Sequence, residues 1–324
     1  MLLVSSMACG VAAPAGLDEP IRIRGGVFKS GELPGAPVPE ETGSASSEDE
    51  ATEEPKEPTV TSFGAVSNLI RPGQVGRNIA GRTSPDALSV GLRFADLGTG
   101  YWVAKVQGVD PTANGERVWQ VQADFGYDIP VGLQKLQVVA FDEGGKAGQQ
   151  RETDVCVLPD YPDNFNSCDP TIPPPALVVS LQWDQDMDLD LRLTSPGGKV
   201  VSPKNPTTAT AVDNQVPADA LADPTTGRFD LDSNANCVVD GARRENLVWQ
   251  EDPPKGSWLV HVDPYAACGE PATRFRLSVL RREPGDEEGT WRQVETVIRE
   301  GQLLAASATG GAKPPLYVTA LTLP

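Results

Sequence analysis

The sequence predicts an all-β protein: two β-sandwich, immunoglobulin-like domains in tandem behind a disordered acidic N-terminal linker. Three observations carry that expectation. From Thr59 onward, short runs rich in β-branched and aromatic residues recur between turn signals, the spacing of a sandwich. Glycine (32) and proline (30) punctuate a chain that is 39% hydrophobic and 6% aromatic, which argues against long helical arrays and coiled coils. At 324 residues the chain is too long for one ordinary sandwich and fits two domains with linkers.

Residues 1–9 come first. Met1 to Ala8 (MLLVSSMA) is short, mostly apolar and uncharged, and Cys9-Gly10 follows at once. It reads as the end of a secretory signal. Ala8-Cys9 resembles a bacterial lipobox, in which a small residue precedes a cysteine that is diacylated and becomes the mature N-terminus. Ser6 stands where that pattern prefers Leu, and no basic segment precedes it. The resemblance implies a lipid anchor at Cys9, hence membrane attachment in the cell envelope, at the outer membrane with a periplasmic or surface-exposed body.

Residues 10–58 are expected to be a disordered, Pro-rich acidic linker. Glu40 to Pro58 holds eight acids and one base, over a third of the net charge of −18. Such a run buries too little apolar surface to offset its ordering entropy, and self-repulsion extends it into a stalk. The plainer alternative is a solvated insert. The overall charge argues against binding nucleic acid or anionic lipid through a basic surface. A single histidine, His261, leaves little material for His-based metal or acid–base sites.

With Cys9 set aside, four cysteines remain: Cys156, Cys168, Cys237 and Cys268. An even number fits an oxidising compartment. Three pairings are open, and proximity favours Cys156 with Cys168 and Cys237 with Cys268, both within domains. None lies in a CxxC, so redox catalysis and zinc ribbons are not indicated.

The first sandwich is expected over 59–159, from the runs TVTSFGAV, ALSVGLRFAD, YWVAKVQG, RVWQVQADFG, LQKLQVVAFD and TDVCVLP. Its PxGLxxLxVVAxDxxGxxG segment resembles the penultimate strand and final hairpin of bacterial immunoglobulin-like domains. A linker, DYPDNFNSCDPTIPPP, spans 160–175. The second sandwich, 176–324, opens sharply with ALVVSLQW and continues through DLDLRLTSP, RFDLD, ENLVW, SWLVHVDPY, TRFRLSVLRR, WRQVETVI and LYVTALTL.

Over residues 177–282, a Trp-Asp strand enters Asp-Leu-Asp-Leu, then come a Pro-Gly-Gly hairpin, an acidic loop ending in Glu-Asn-Leu-Val-Trp, and a Pro-Pro-x-Gly turn before a long strand. This series resembles the bacterial β-sandwich family of unknown function typified by YfaP. The resemblance implies a sandwich fold and a setting among predicted lipoproteins with a preceding immunoglobulin-like domain. It implies no activity.

The chemistry of the second domain is acidic. If Leu181 to Leu193 is one regular strand, Leu181, Trp183, Leu189, Leu191 and Leu193 face the core. Asp184, Asp186, Asp188, Asp190 and Arg192 then share the other face, with neighbouring carboxylates about 7 Å apart, twice the strand rise. Like charges in a row call for a cation: Ca²⁺, or Arg192, Arg243 or Arg244, or solvent screening. Further on, Asp232, Asn234, Asn236 and Asp240 fall at positions 1, 3, 5 and 9 of an EF-hand-like calcium loop. Cys237 replaces the glycine of position 6, and Glu245 lies two residues late for the bidentate role. The candidate metal set is therefore Asp188, Asp190, Asp232, Asn234, Asn236, Asp240 and Glu245, for a weak Ca²⁺ site; an Asx-turn loop pinned by Cys237 is the plainer alternative.

No GxSxG, HExxH or P-loop occurs, and His261 lies in a strand-like run. The expectation is a non-enzymatic envelope lipoprotein, a binding or scaffold module for an unidentified envelope protein or glycan, with no catalytic residue and no required cofactor. The competing class is a carbohydrate hydrolase using acids of the second domain. Tyr101, Trp102, Trp119, Trp249, Trp258 and Trp291 are a sugar-stacking platform or, more simply, sandwich core.

Overall fold

The computed structural model describes residues 16–37, 57–65, 68–113, 115–213 and 215–323. Cys9 and the acidic run 38–56 lie outside the described residues. The chain divides into two compact units, Met1–Pro159 and Asp160–Pro324.

The strands of the first unit are β1 (Ile21–Ile23), β2 (Val27–Ser30), β3 (Val60–Ala65), β4 (Leu69–Ile70), β5 (Arg77–Thr83), β6 (Ser89–Phe94), β7 (Gly100–Lys105), β8 (Arg117–Phe125), β9 (Gly132–Phe141) and β10 (Arg151–Val157). They form a four-stranded sheet, β1-β8-β5-β3, and a six-stranded sheet, β2-β7-β6-β9-β10-β4. One apolar core joins the sheets. Ile79, Trp119, Val121 and Phe125 come from the first, and Leu92, Phe94, Leu136 and Val138 from the second.

The structure shortens the expected linker of 10–58. Ile21 and Ile23 are buried, and β1 pairs antiparallel with β8 while β2 pairs with β7. Two isoleucines at alternate positions supply an apolar face for a three-residue strand, a signal that the acidic run downstream overshadows. β5 also escapes the sequence pattern, because only Ile79 and Thr83 of RNIAGRT turn inward.

In the second unit the strands are β11 (Leu177–Trp183), β12 (Asp188–Thr194), β13 (Val200–Val201), β14 (Arg228–Phe229), β15 (Arg244–Trp249), β16 (Gly256–Ala266), β17 (Ala272–Pro284), β18 (Trp291–Leu304) and β19 (Leu316–Leu323), with one short helix, α1 (Ala218–Ala222). Sheets β14-β15-β11-β17-β18 and β13-β12-β16-β19 enclose a second core. Trp249 and Trp258, one from each sheet, meet edge to face with centroids 5.3 Å apart, worth about 0.5–1.5 kcal/mol beyond burial. Gly227 is required there, since a Cβ would come within 2.4 Å of the Trp249 ring.

The segment 160–175 is likewise not a free linker. The carboxylate of Asp163 accepts the N–H groups of Phe165 (3.1 Å) and Ser167 (3.0 Å). Buried Asn166 donates through Nδ2 to the carbonyls of Ile172 and Trp291, both at 2.9 Å. Asx-type turns thus replace the missing apolar content and fasten this Pro-rich stretch to the start of β18.

Cys237 and Cys268 are joined, with Cα atoms 5.2 Å apart. Cys156 and Cys168 are also disulfide-bonded.

Candidate metal centre

The acidic site begins with a break. Leu181 to Leu193 is not one strand: β11 stops at Trp183 and β12 starts at Asp188, in different sheets. Trp183 Nε1 donates to the carbonyl of buried Met187 at 2.9 Å and closes the connection. Asp184 Oδ1 accepts the N–H of Arg274 (2.8 Å) and the hydroxyl of Thr273 (3.0 Å), while Asp186 pairs with Arg243 at 2.8 Å. The expected row of four carboxylates is therefore split. Two cap a crossover between sheets, and only Asp188 and Asp190 share a strand face.

That face is sealed from above. β13 pairs with β12 only at Leu193 and Thr194, so β12 has an open edge nearer its start. Glu245 of β15 fills it: its Oε2 accepts the N–H of Leu191 at 2.7 Å. The 232–240 loop covers the rest. The N–H of Asn236 donates to Asp188 Oδ2 (2.8 Å), and Asn234 Nδ2 donates to the carbonyl of Met187 (3.1 Å). Asn234, Asn236 and Cys237 all have φ between +54° and +63°, a left-handed turn that Asn tolerates and most side chains avoid. The Cys237–Cys268 bridge ties this coil to the β16–β17 turn.

Asp188 is consequently 2% exposed, Asp190 5% and Glu245 0%. Asp188, Asp190 and the exposed Asp232 each place one carboxylate oxygen within 4.8 Å of the others. Two oxygens that share a Ca²⁺ at about 2.4 Å are at most about 4.8 Å apart, so the three fit one ion. Asp188 Oδ1 and Glu245 Oε1 are buried and accept no hydrogen bond among the described residues. A buried carboxylate oxygen without a donor is costly, and a hard cation would satisfy it.

Electrostatics point the same way. Burial, with the neighbouring acids adding to it, pushes Asp188 up to about 6 and Asp190 up to about 7. Burial also raises Asp232, and raises Glu245 well above the usual carboxylate range. The three arginines offered by the sequence pair with other acids. Arg192 pairs with Asp263 at 2.8 Å, Arg243 with Asp186, and Arg244 reaches Asp160 at 4.0 Å.

The structure narrows the sequence-derived ligand set. Asn234 spends its amide on Met187 and on the N–H of Asp240, which its Oδ1 accepts at 3.2 Å. Asp240 Oδ1 accepts the hydroxyl of Ser233 (2.9 Å) and the N–H of Ala242 (2.8 Å). Asn236 contributes its main chain to Asp188 and has an exposed side chain. These residues shape the loop, as the Asx-turn alternative expects, whereas Asp188, Asp190 and Asp232 converge with Glu245 beside them. Sequence reading missed Asp263, which lies opposite Asp190 on β16, and Lys204, whose field reaches all three aspartates. Pairing across strands is what reveals both, and neither carries a local sequence signal.

His261 is a strand residue of β16, edge to face with Tyr317 at 5.6 Å. Burial and Arg192 lower its pKa. Tyr101, Trp102, Trp119, Trp249 and Trp258 are core residues, and half-buried Trp291 lies under the guanidinium of Arg282. No stacking platform is built from them.

No protein-family model and no curated protein matches the chain. Among solved structures, it is similar to the C-terminal domain of the Streptococcus agalactiae AgI/II polypeptide BspA, at 9% identity over 74% of this chain and 99% of that one, with a TM-score of 0.22. A second is the C-terminal domain of the Streptococcus pyogenes antigen I/II-family protein AspA, at 10% identity over 75% and 98%, TM-score 0.25. A third is a tetra-tandem repeat from the extending region of a large adhesion protein, at 13% identity over 83% and 74%, TM-score 0.20. At these scores the fold assignment rests on the strands and cores themselves. No helix among the described residues is long and apolar enough to cross a membrane.

Proposed function

We propose that this protein is a non-enzymatic binding and scaffold module of the bacterial cell envelope whose second sandwich holds a Ca²⁺ ion. The observation that carries the reading is the convergence of Asp188, Asp190 and Asp232 beside two buried carboxylate oxygens that lack donors. Such an all-oxygen, anionic set suits a hard divalent cation. The ion would join the start of β12 to the 232–240 loop and act as a structural cross-link. Position 12 of the loop is Arg243 rather than a bidentate Glu, so the affinity belongs to the extracellular-module range, about 10⁻⁴ to 10⁻³ M.

Burial favours an ion over catalysis. Asp188, Asp190 and Glu245 lie under the loop, where a sugar ring has no access, so the hydrolase alternative gains nothing from their raised pKa values. The envelope setting rests on the sequence: the lipobox-like Ala8-Cys9 and the acidic stretch behind it support a tethered body. The partner, an envelope protein or a glycan, is open.

The test is calorimetric titration of the 16–324 fragment with Ca²⁺ after EDTA treatment, alongside Asp190→Asn. Saturable binding by the wild type that the substitution abolishes is the expected result. Turnover on a glycan panel, lost in the same variant, would replace the reading with an enzymatic one.

A further inference from the structure

The acidic pocket has a cation built beside it. β13 is followed by a tight turn in which Ser202 and Asn205 exchange main-chain hydrogen bonds (3.2 and 2.8 Å), leaving Pro203 and Lys204 as its two central residues. Asn205 Nδ2 donates to the carbonyl of Val200 at 2.6 Å and braces the turn. The exposed Lys204 projects from its tip, and its ammonium lies 3.6 Å from the centre of the Tyr265 ring.

Tyr265 is placed by an irregularity in the ladder. Asp188 pairs with Ala266 and Leu189 with Pro264, so Tyr265 is the extra residue of a β-bulge opposite the first acid of the site. A bulge re-aims the side chain it carries. Here it sets an aromatic face beside the pocket, and a cation over such a face is held electrostatically. From that perch Lys204 acts on the carboxylates of Asp188, Asp190 and Asp232 at once, against the effect of burial on each.

Resting on the Ca²⁺ reading of this pocket, we infer that Lys204 is a tethered competitor for the divalent ion: Tyr265 parks its ammonium where it offsets the three aspartates when no ion is bound, and its charge lowers the affinity when one is. A tethered ammonium has no strong ligand bond to any one carboxylate, so it can yield to a divalent ion that coordinates the oxygens directly. The turn and bulge thereby set the threshold concentration at which the site fills.

The experiment compares the wild type with Lys204→Met, which keeps the stem on Tyr265 and removes the charge, and Lys204→Arg, which keeps the charge. Calorimetry with CaCl₂ at low ionic strength should show Lys204→Met binding about five- to tenfold more tightly, the scale of one unit charge acting on a divalent ion about 6–9 Å away in a wet environment. Lys204→Arg should stay near wild type. The gap should shrink in high salt, because exposed charges are screened. With EDTA present, Lys204→Met should melt at a lower temperature than the wild type, a reversal of sign that loss of packing alone does not produce. Binding by Lys204→Met but not by the wild type would also support the inference. Equal or weaker binding by Lys204→Met overturns the role of Lys204 and leaves the Ca²⁺ site standing. Absence of binding by all three proteins removes both.

Discussion

Glu245 Oε2 accepts the main-chain N–H of Leu191 at 2.7 Å, although the two residues sit on strands of different sheets. The bond is a cross-brace. It closes the edge of β12 that β13 is too short to reach, and it buries a carboxylate whose other oxygen finds no donor among the described residues. A sandwich core gains little from an ionisable group in that position, since desolvation of the charge exceeds what one hydrogen bond returns. The arrangement becomes stable when a proton or a metal ion is nearby.

A first prediction concerns Asp190→Asn. In the metal-free protein this change removes one negative charge from a buried group of acids, so the melting temperature in EDTA should rise. In Ca²⁺ the order should invert. An ion present at one hundred times its dissociation constant stabilises the wild type by about 2.7 kcal/mol, and the variant should lose that increment. Scanning calorimetry in EDTA and in excess Ca²⁺ reads both; a variant that keeps the Ca²⁺ increment would remove Asp190 from the ligand set.

Stability of the metal-free protein should fall as pH rises. Asp188 and Asp190 have folded-state values raised to about 6 and about 7 from an ordinary value of 3.8. The folded protein therefore holds more protons than the unfolded chain between about pH 4 and 7, and stability declines across that window. The contribution is complete below the unfolded values and gone once pH has passed the folded ones. Ca²⁺ competes with those protons, so its affinity should climb over the same interval. Melting curves from pH 4.5 to 8, with EDTA and with Ca²⁺, should diverge steadily; parallel curves would show that the carboxyls are not linked to the ion.

The eight strands read from the second domain's sequence all recur as β11, β12 and β14 to β19, and most of them bury apolar residues in the core, whereas β14 only half-buries Phe229 and β18 buries Leu303 alone. The site was less legible. Alternating Asp and Leu from Trp183 onward has the period of one amphipathic strand, and nothing local marks that Asp184 to Met187 turns from one sheet to the other. That turn depends on the distant Thr273, Arg274 and Arg243. The EF-hand-like spacing was real as composition, but the left-handed coil at Asn234, Asn236 and Cys237 spends two of its oxygen donors on the loop itself. Lys204 and Tyr265 are juxtaposed only by a turn and a bulge, features that sequence periodicity does not encode.

The lipid anchor is tested separately from the ion. Cys9→Ser should abolish acylation and move the protein from the detergent phase to the aqueous phase on partitioning, with processing of the wild type blocked by globomycin. Unchanged partitioning of the variant would remove the tether from the proposed function without affecting the second domain.

The Cys237–Cys268 bridge should matter to the ion as well as to the fold. It closes a loop of sequence separation 31, for which the chain-entropy argument gives about 3–4 kcal/mol. Its local effect is on the 232–240 coil, whose Val238 and Val239 are exposed and contribute no core packing. Without the bridge, the main-chain hydrogen bond from Asn236 to Asp188 and the position of Asp232 depend on Asn234 and Ser233 alone. A Cys237→Ser/Cys268→Ser double variant should therefore unfold at lower denaturant and bind Ca²⁺ several-fold more weakly, while Trp249 and Trp258 keep their near-ultraviolet signature in the folded state. Non-reducing peptide mapping should recover the Cys237 and Cys268 peptides joined in the wild type. Full Ca²⁺ affinity in the double variant would show that the loop holds its shape unaided.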